Sequence, residues 1–281
     1  MVEEPRALLS PTDIGDLARR HLIQPSKALG QNFVIDQNTI RRIVRLAGIT
    51  PTDRIIEVGA GVGTLTLALA NAAAQVVAIE LDRRLIPALT EVLSDLDNVE
   101  ILVGDALKVD FSALFGGGSA RLVANLPYNI ATPLIATLLE QAPQVSDFVI
   151  MVQREAGERF VAPPGSRTYG AVSVLVAYHC DARILGKVPA SVFWPVPKVE
   201  SLLVRLTRRP APVQVGCADL MKVVRAAFGQ RRKTVRNSLA AGLELPVEEV
   251  EAAIRRAGID PEARAESLGL TQFAKLAEAL E

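Results

Sequence analysis

The run Glu57-Val-Gly-Ala-Gly-Val-Gly63 follows an apolar stretch and leads into Thr64-Leu-Thr-Leu-Ala-Leu-Ala. Glycines at a turn between a strand and a helix let backbone N–H groups come close to a ligand at the helix N-terminus. Glu80 stands 21 residues after Gly59, at the end of a second apolar run, where a carboxylate can accept hydrogen bonds from both hydroxyls of a ribose. Asp105, in Gly104-Asp105-Ala106, ends a third run. Taken singly, a glycine-rich turn is often just a tight connection, and either acid reads equally well as a solvated strand end. Together, Gly59, Gly61, Glu80 and Asp105 form a row suited to an adenosine that carries a ribose and a charged tail. The loop departs from the GxGxxG dinucleotide fingerprint and nothing downstream suggests hydride chemistry, so S-adenosylmethionine fits the row better than NAD.

A fourth apolar run, Arg121-Leu-Val-Ala, stops at Asn125-Leu126-Pro127-Tyr128. Beside a methyl sulfonium, these four residues are expected to hold the methyl acceptor. The exocyclic N6 of adenine is a poor nucleophile because its lone pair is delocalised into the ring. Two acceptors that take both N6 hydrogens favour a pyramidal nitrogen with the lone pair released. The Asn125 side-chain oxygen can be one and the backbone carbonyl of Leu126 or Pro127 the other, with Pro127 fixing the turn. Tyr128 is expected to stack on a base that has left its helix or loop. The competing reading is a helix start, since Thr132-Pro133 suits an N-cap and N1 pair, but this leaves Asn125, Pro127 and Tyr128 without a role. Carbon-5 cytosine methylation would need an attacking cysteine, conventionally after a proline, and Cys180 and Cys217 instead follow His179 and Gly216.

These groups need a scaffold that brings successive strand ends to one edge. Residues 55–58, 76–79, 99–103, 121–124 and 148–152 are short β-branched runs separated by helical or loop segments, which implies βαβ units and a parallel sheet covered on both faces. A helix over 37–46 precedes the first strand. Ser173–His179 and Ser201–Leu206 read as two further strands joined by a proline-bearing loop. Residues 208–216 read as a linker, and beyond Asp219 only helical patterning occurs. The expected fold is α/β, a Rossmann-like methyltransferase sheet with a small C-terminal all-helical domain. Its parts are an N-terminal extension over 1–24, the sheet domain over 25–209 and the helical domain over 210–281.

With 281 residues, 49% of them apolar, the chain can bury a sizeable core. No apolar run approaches the roughly 20 residues of a membrane helix, and the acidic N-terminus does not resemble a signal peptide, so a cytoplasmic protein with no membrane partner is expected. Two cysteines and two histidines show no metal-ligand spacing, so reduced thiols and no metal are expected. The 31 basic and 31 acidic residues cancel, but not evenly along the chain. Residues 51–150 carry 5 Lys/Arg against 12 Asp/Glu, residues 205–240 carry 9 against 1, and residues 241–281 carry 4 against 9. One short segment is therefore a basic patch on an acidic body, as a phosphate-binding surface requires.

The segments LGQNFVID (29–36), EVGAGVGTLT, IELD (79–82), GDAL, NLPYNIATPL, VQRE with PGSRTYG, VFWPVPKVES (192–201) and FGQRRKTVRNSL (228–239) resemble the bacterial small-subunit rRNA adenine N6,N6-dimethyltransferases. The likeness covers roughly residues 25–240. It implies dimethylation by S-adenosylmethionine of two adjacent adenosines in the hairpin loop near the 3′ end of 16S rRNA, within a nearly mature small ribosomal subunit, by a monomer. It implies further that Gln31, Asn32 and the main chain near Val34 cover the methionine part of the cofactor, while Gly59, Glu80, Asp105 and Asn125 make other cofactor contacts. The family usually has leucine where Val34 stands. Phe193 matches the aromatic that would sandwich the target base opposite Tyr128, with a core residue beside Trp194 as the other reading, and Lys198 and Glu200 would shape that loop. Arg225, Arg231, Arg232, Lys233 and Arg236 would meet phosphates, although a charge run is more often a solvated helix face. The rivals are a resistance-type methyltransferase of large-subunit (23S) rRNA and a non-catalytic rRNA- or DNA-binding assembly factor on the same fold.

Overall fold

The computed structural model describes residues 6–230 and 232–280. The strands are β1 (Phe33–Val34), β2 (Arg54–Val58), β3 (Gln75–Glu80), β4 (Val99–Val103), β5 (Ala120–Asn125), β6 (Val145–Gln153), β7 (Cys180–Val188), β8 (Phe193–Trp194) and β9 (Ser201–Arg208). The helices are α1 (Pro11–Arg20), α2 (Gln37–Ala47), α3 (Thr64–Ala70), α4 (Ile86–Leu93), α5 (Ala131–Gln141), α6 (Arg154–Phe160), α7 (Ala171–His179), α8 (Cys217–Phe228), α9 (Val235–Leu243), α10 (Val247–Arg256) and α11 (Leu270–Leu280). Contacts divide the chain into two compact units, Met1–Gly157 with Arg183–Thr207 and Glu158–Ala182 with Arg208–Glu281.

The main sheet has the order β4-β3-β2-β5-β6-β9-β7. Strands β2 to β6 pair in parallel, and β9 joins β6 antiparallel. The chain runs outward from β2 through β3 to β4 and then returns to place β5 on the other side of β2. That reversal opens a crevice at the carboxyl ends of β2 and β5, where ligands of open parallel sheets bind. One apolar cluster includes Ile40, Ile43, Leu69, Val123 and Val149, and a second includes Ile14, Leu17, Leu67, Leu85 and Leu89. At the opposite strand ends the half-buried Arg121 bonds Asp53 (2.6 Å) and Asp147 (2.8 Å), and Arg205 joins Asp147 at 2.9 Å.

Three expectations need correction. Residues 173–179 are helix, not strand: α7 buries Ser173, Val174, Leu175, Val176 and Tyr178, and a helix buried on all sides has no apolar stripe to set it apart from a buried strand. Its start is fixed by Ser173, whose Oγ accepts from Gly170 N (3.1 Å) and donates to the Arg159 carbonyl (2.7 Å). The seventh strand is instead β7, an edge strand exposed at Asp181, Ile184 and Lys187, whose mixed polarity gives no period-two signal. The second correction follows from the first. A break between 207 and 208 lies close to the expected 209/210, but residues 158–182 group with the C-terminal helices. Tyr169 accounts for this, since its hydroxyl donates to the Leu268 carbonyl (2.9 Å) and its ring meets Phe228 edge-on at 6.0 Å. Third, α1, which lies in the expected N-terminal extension, inserts Ile14 and Leu17 into the second apolar cluster and belongs to the sheet unit.

Candidate functional site

The loop after β2 owes its shape to glycine. Gly59 and Gly61 have φ of +78° and +61°, which side chains rarely tolerate, and neither has room for one. A Cβ on Gly59 would lie 2.9 Å from Pro127 Cδ, and one on Gly61 would lie 2.9 Å from the Phe33 ring. The two contacts make this loop the hub between the end of β5 and the segment preceding α2. The Gly61 N–H donates to Glu80 Oε2 (2.7 Å) and the Asp82 N–H to Glu80 Oε1 (2.8 Å). Glu80 is 6% exposed; burial pushes its carboxyl up, and the backbone N–H groups of Asp82 and Gly61 oppose that. Each oxygen thus has a donor, and a carboxylate has further lone pairs for a hydroxyl. Asp105 caps the single turn after β4, accepting from Leu107 N (3.0 Å).

The residues between them line a cleft that is open at its mouth, with Gly59, Gly61, Glu80, Asp105, Asn125 and Tyr128 in its wall. Leu81 and Ala106 complete the wall beside Glu80 and Asp105. Behind the loop, Glu57 is 1% exposed. Its burial raises the carboxyl to about 8, which Thr66 opposes and Glu80 reinforces.

At the end of β5 the Asn125 Nδ2 donates to the Asn32 carbonyl at 2.9 Å. Only an amide nitrogen can face a carbonyl, so this contact fixes which way the carboxamide points, and Oδ1 remains an acceptor. Leu126 N donates to the Met151 carbonyl (3.0 Å), and the Pro127 carbonyl accepts from Ile130 N (3.2 Å), closing the turn. Tyr128 Oη and Ser201 Oγ lie 2.9 Å apart, and burial raises the phenol against the opposing effect of Ser201.

The segment before β1 lies over this turn. Gly30, at φ +66°, sits close against it, since a Cβ there would lie 3.1 Å from Asn129 Oδ1 and 3.2 Å from Tyr128 N. Gln31 and Asn32 both line the cleft. Strand β1 then pairs antiparallel with β8, Val34 against Phe193 and Phe33 against Trp194. Here one expectation fails. Phe193 is 1% exposed and sits in an apolar cluster with Val34, Ile43 and Leu203, so its ring offers no face to a base opposite Tyr128. The Val34 side chain is buried in the same cluster, which leaves the expected contact to the main chain near it, where Asn32 and Phe33 line the cleft. Phe33, Asn129 and Asp82 were not anticipated. Phe33 and Asn129 line the cleft, and the one signal for all three was their place inside the GQNF, NLPYN and IELD stretches.

Residues 24–281 match the family model described as ribosomal RNA adenine dimethylase. The chain belongs to that family. The ribosomal RNA small subunit methyltransferase A of Kineococcus radiotolerans is 48% identical over 276 residues, covering 96% of this chain and 91% of that protein. Its namesake from Thermobifida fusca is 45% identical over 277 residues, 96% of each. Among solved structures, the dimethyladenosine transferase from Plasmodium falciparum is 26% identical with a TM-score of 0.73, covering 86% of this chain and 94% of that one. The 23S rRNA methyltransferase ErmE is 30% identical with a TM-score of 0.67, covering 89% and 99%.

From Arg208 onward the basic segment lies in the helical unit. Arg225, Arg232 and Lys233 are exposed there, and Arg231 lies outside the described residues. Arg236 departs from expectation. Its guanidinium bridges Glu251 (3.0 Å) and Glu262 (2.9 Å), so its charge is spent tying α9 to α10 and the turn beyond. Among the described residues, no three His, Cys, Asp or Glu side chains are placed to hold a metal, and no helix is long and apolar enough to cross a membrane.

Proposed function

We propose that the protein transfers methyl groups from S-adenosylmethionine to the N6 amines of two adjacent adenosines in the hairpin loop near the 3′ end of small-subunit ribosomal RNA, four transfers in all. The names of the Kineococcus and Thermobifida relatives support the substrate. The chemistry rests on one observation: the Asn125 carboxamide is locked with Oδ1 available and Nδ2 spent on Asn32. When bound, the cofactor supplies a methyl group on an electron-poor sulfur. Glu80 takes its ribose hydroxyls, Asp105 and the glycine loop hold the rest of the adenosine, and the 30–32 segment covers the methionine part.

Asn125 Oδ1 and one backbone carbonyl draw the two N6 hydrogens and free the nitrogen lone pair. The Pro127 carbonyl already closes a turn with Ile130, so the Leu126 carbonyl is the second acceptor. Tyr128, pinned through its hydroxyl by Ser201, stacks on the extruded base. Neither amide oxygen is basic enough to keep a proton, so the one released at each transfer passes to solvent. The second transfer to each adenosine needs only one N–H acceptor, which leaves room for the first methyl. Arg225, Arg232 and Lys233 meet the RNA backbone. The substrate is the nearly mature 30S subunit, met by a monomer in the cytoplasm.

The test is methyl transfer from labelled S-adenosylmethionine to unmethylated small subunits and, separately, to naked large-subunit RNA, with the nucleoside identified by mass spectrometry. Dimethyladenosine confined to the small subunit is expected, and Asn125→Ala should abolish it while leaving cofactor affinity within about threefold. Label in large-subunit RNA would favour the activity named for ErmE, and no label from a cofactor-loaded protein would make it a binding factor. A fully active Asn125→Ala variant would remove that side chain from the chemistry.

A further inference from the structure

Asp82, two residues beyond Glu80, is 6% exposed and has a donor at each carboxylate oxygen. Arg84 gives its N–H (3.1 Å) and Nε (2.8 Å) to Oδ1 and its Nη2 (2.6 Å) to Oδ2. The remaining donor comes from the segment over the cleft, where Gln31 Nε2 reaches Oδ2 at 2.9 Å. Gln31 is anchored at its other end as well, because its Oε1 accepts from Ser26 N at 2.7 Å. Its amide is therefore committed to fixing the backbone of residues 26–32, and it is the next carbonyl, that of Asn32, which receives Asn125 Nδ2. On its other side, the Asp82 N–H fixes Glu80 Oε1.

A buried carboxylate is retained at a cost unless it is fully bonded, and this one has donors at both oxygens, from Arg84 and from Gln31 of the segment over the cleft. Its neighbours Arg84 and Gln31 hold it down to about 2, so it stays charged across any working pH. We infer that Asp82 is a positioning residue: its carboxylate, through Gln31, sets the Asn32 carbonyl that orients the Asn125 amide, while its backbone N–H holds Glu80, so one residue stands between the acceptor site and the nucleotide site. The part that concerns Asn125 rests on the function proposed above. The link between Asp82 and Gln31 does not.

A double-mutant cycle on the full chain separates the two. Asp82→Ala and Gln31→Ala should each lower kcat about tenfold or more and raise the KM for S-adenosylmethionine several fold. The double variant should be no worse than the more damaged single one, because the second substitution removes a partner already uncoupled. Asp82→Asn, which keeps an acceptor oxygen for Gln31, should recover kcat to within about threefold of the parent. Fold-changes that multiply in the double variant, or an Asp82→Asn variant as impaired as Asp82→Ala, would overturn the inference.

A merely structural role would lower the amount of folded protein and leave kcat per folded molecule unchanged, which thermal unfolding of each variant without cofactor resolves. Should Asp82→Ala fail to fold, Arg84→Ala serves in its place. Its side chain is 65% exposed, and removing it loosens the same carboxylate, with a smaller fall in kcat expected and an unchanged kcat counting against the idea. The cycle is also read on cofactor affinity by calorimetry. Non-additive affinities together with a fully active Asn125→Ala variant would mean that the catalytic reading had failed while the Asp82–Gln31 tie stood.

Discussion

Glu57 provides a sharp quantitative test of the reasoning behind the site, because the folded chain holds it in a protonation state that the unfolded chain does not. Its carboxyl is buried behind the cofactor loop and raised from 4.5 to about 8. Between those values the native state keeps the proton and the unfolded state has lost it, so stability falls as pH rises, and the loss levels off above about 8. Below 4.5 both states are protonated and there is no loss. With about 1.4 kcal/mol for each pH unit of the window, the group costs roughly 3 kcal/mol at pH 7 and under 1 kcal/mol at pH 5. Glu57→Gln keeps the shape and carries no charge in either state. Urea unfolding of parent and variant at half-unit steps from pH 5 to pH 8 should therefore show two curves that diverge, with the variant gaining about 2 kcal/mol relative to the parent between pH 5 and pH 7. Parallel curves would mean that Glu57 titrates normally and that its burial does not keep it neutral.

Other outcomes follow from the same geometry. Glu80→Ala should weaken S-adenosylmethionine binding by about 1–3 kcal/mol through lost hydrogen bonds to the ribose, with calorimetry as the check and unchanged affinity removing Glu80 from the site. Gly61→Ala forces a side chain to φ +61° against the Phe33 ring and should cost about 1–3 kcal/mol of stability, lowering the unfolding midpoint and cofactor affinity together. An unaffected variant would show that the loop has slack. Reversing Arg232 and Lys233 to glutamate should flatten the logarithmic salt dependence of RNA binding by roughly 0.7–0.9 per lost phosphate contact, while Arg236→Ala should lower the unfolding midpoint and leave that slope unchanged. Equal salt effects from both would return Arg236 to the RNA surface.

What could be seen in the sequence was whatever depends on short-range order. Each parallel strand is an apolar run closed by a polar residue, so the ends of β2, β3, β4 and β5 announce Gly59, Glu80, Asp105 and Asn125 without knowledge of the pairing. What stayed hidden depends on contacts distant in the chain. Phe193 carries an aromatic in the expected position, but whether its ring faces a ligand or a core is decided by the two-residue ladder between β1 and β8, too short to leave a pattern. Arg236 looked like its basic neighbours because the two acids that claim it lie 15 and 26 residues further on. The α7 segment reads as a strand and β7 gives no strand signal for a related reason, since full burial erases a helical stripe and an edge strand need not be apolar. Asp82 shows only through its place in the IELD stretch, and nothing local in that stretch reveals that it is buried and bonded to Gln31 and Arg84.

The excursion of residues 158–182 into the helical unit has a consequence for how this architecture can be altered. The unit is not an appendage joined by one hinge; it is threaded by two stretches of chain with two strands of the main sheet between them. A graft that exchanged only the segment after β9 would strand Tyr169 without Leu268 and Phe228, and Tyr178 without the Val215 carbonyl that its hydroxyl binds at 3.1 Å. Any successful chimaera must carry both stretches. Divergence in RNA preference by wholesale replacement of the tail is accordingly barred, and substitution in place, one exposed side chain at a time, is the route left open.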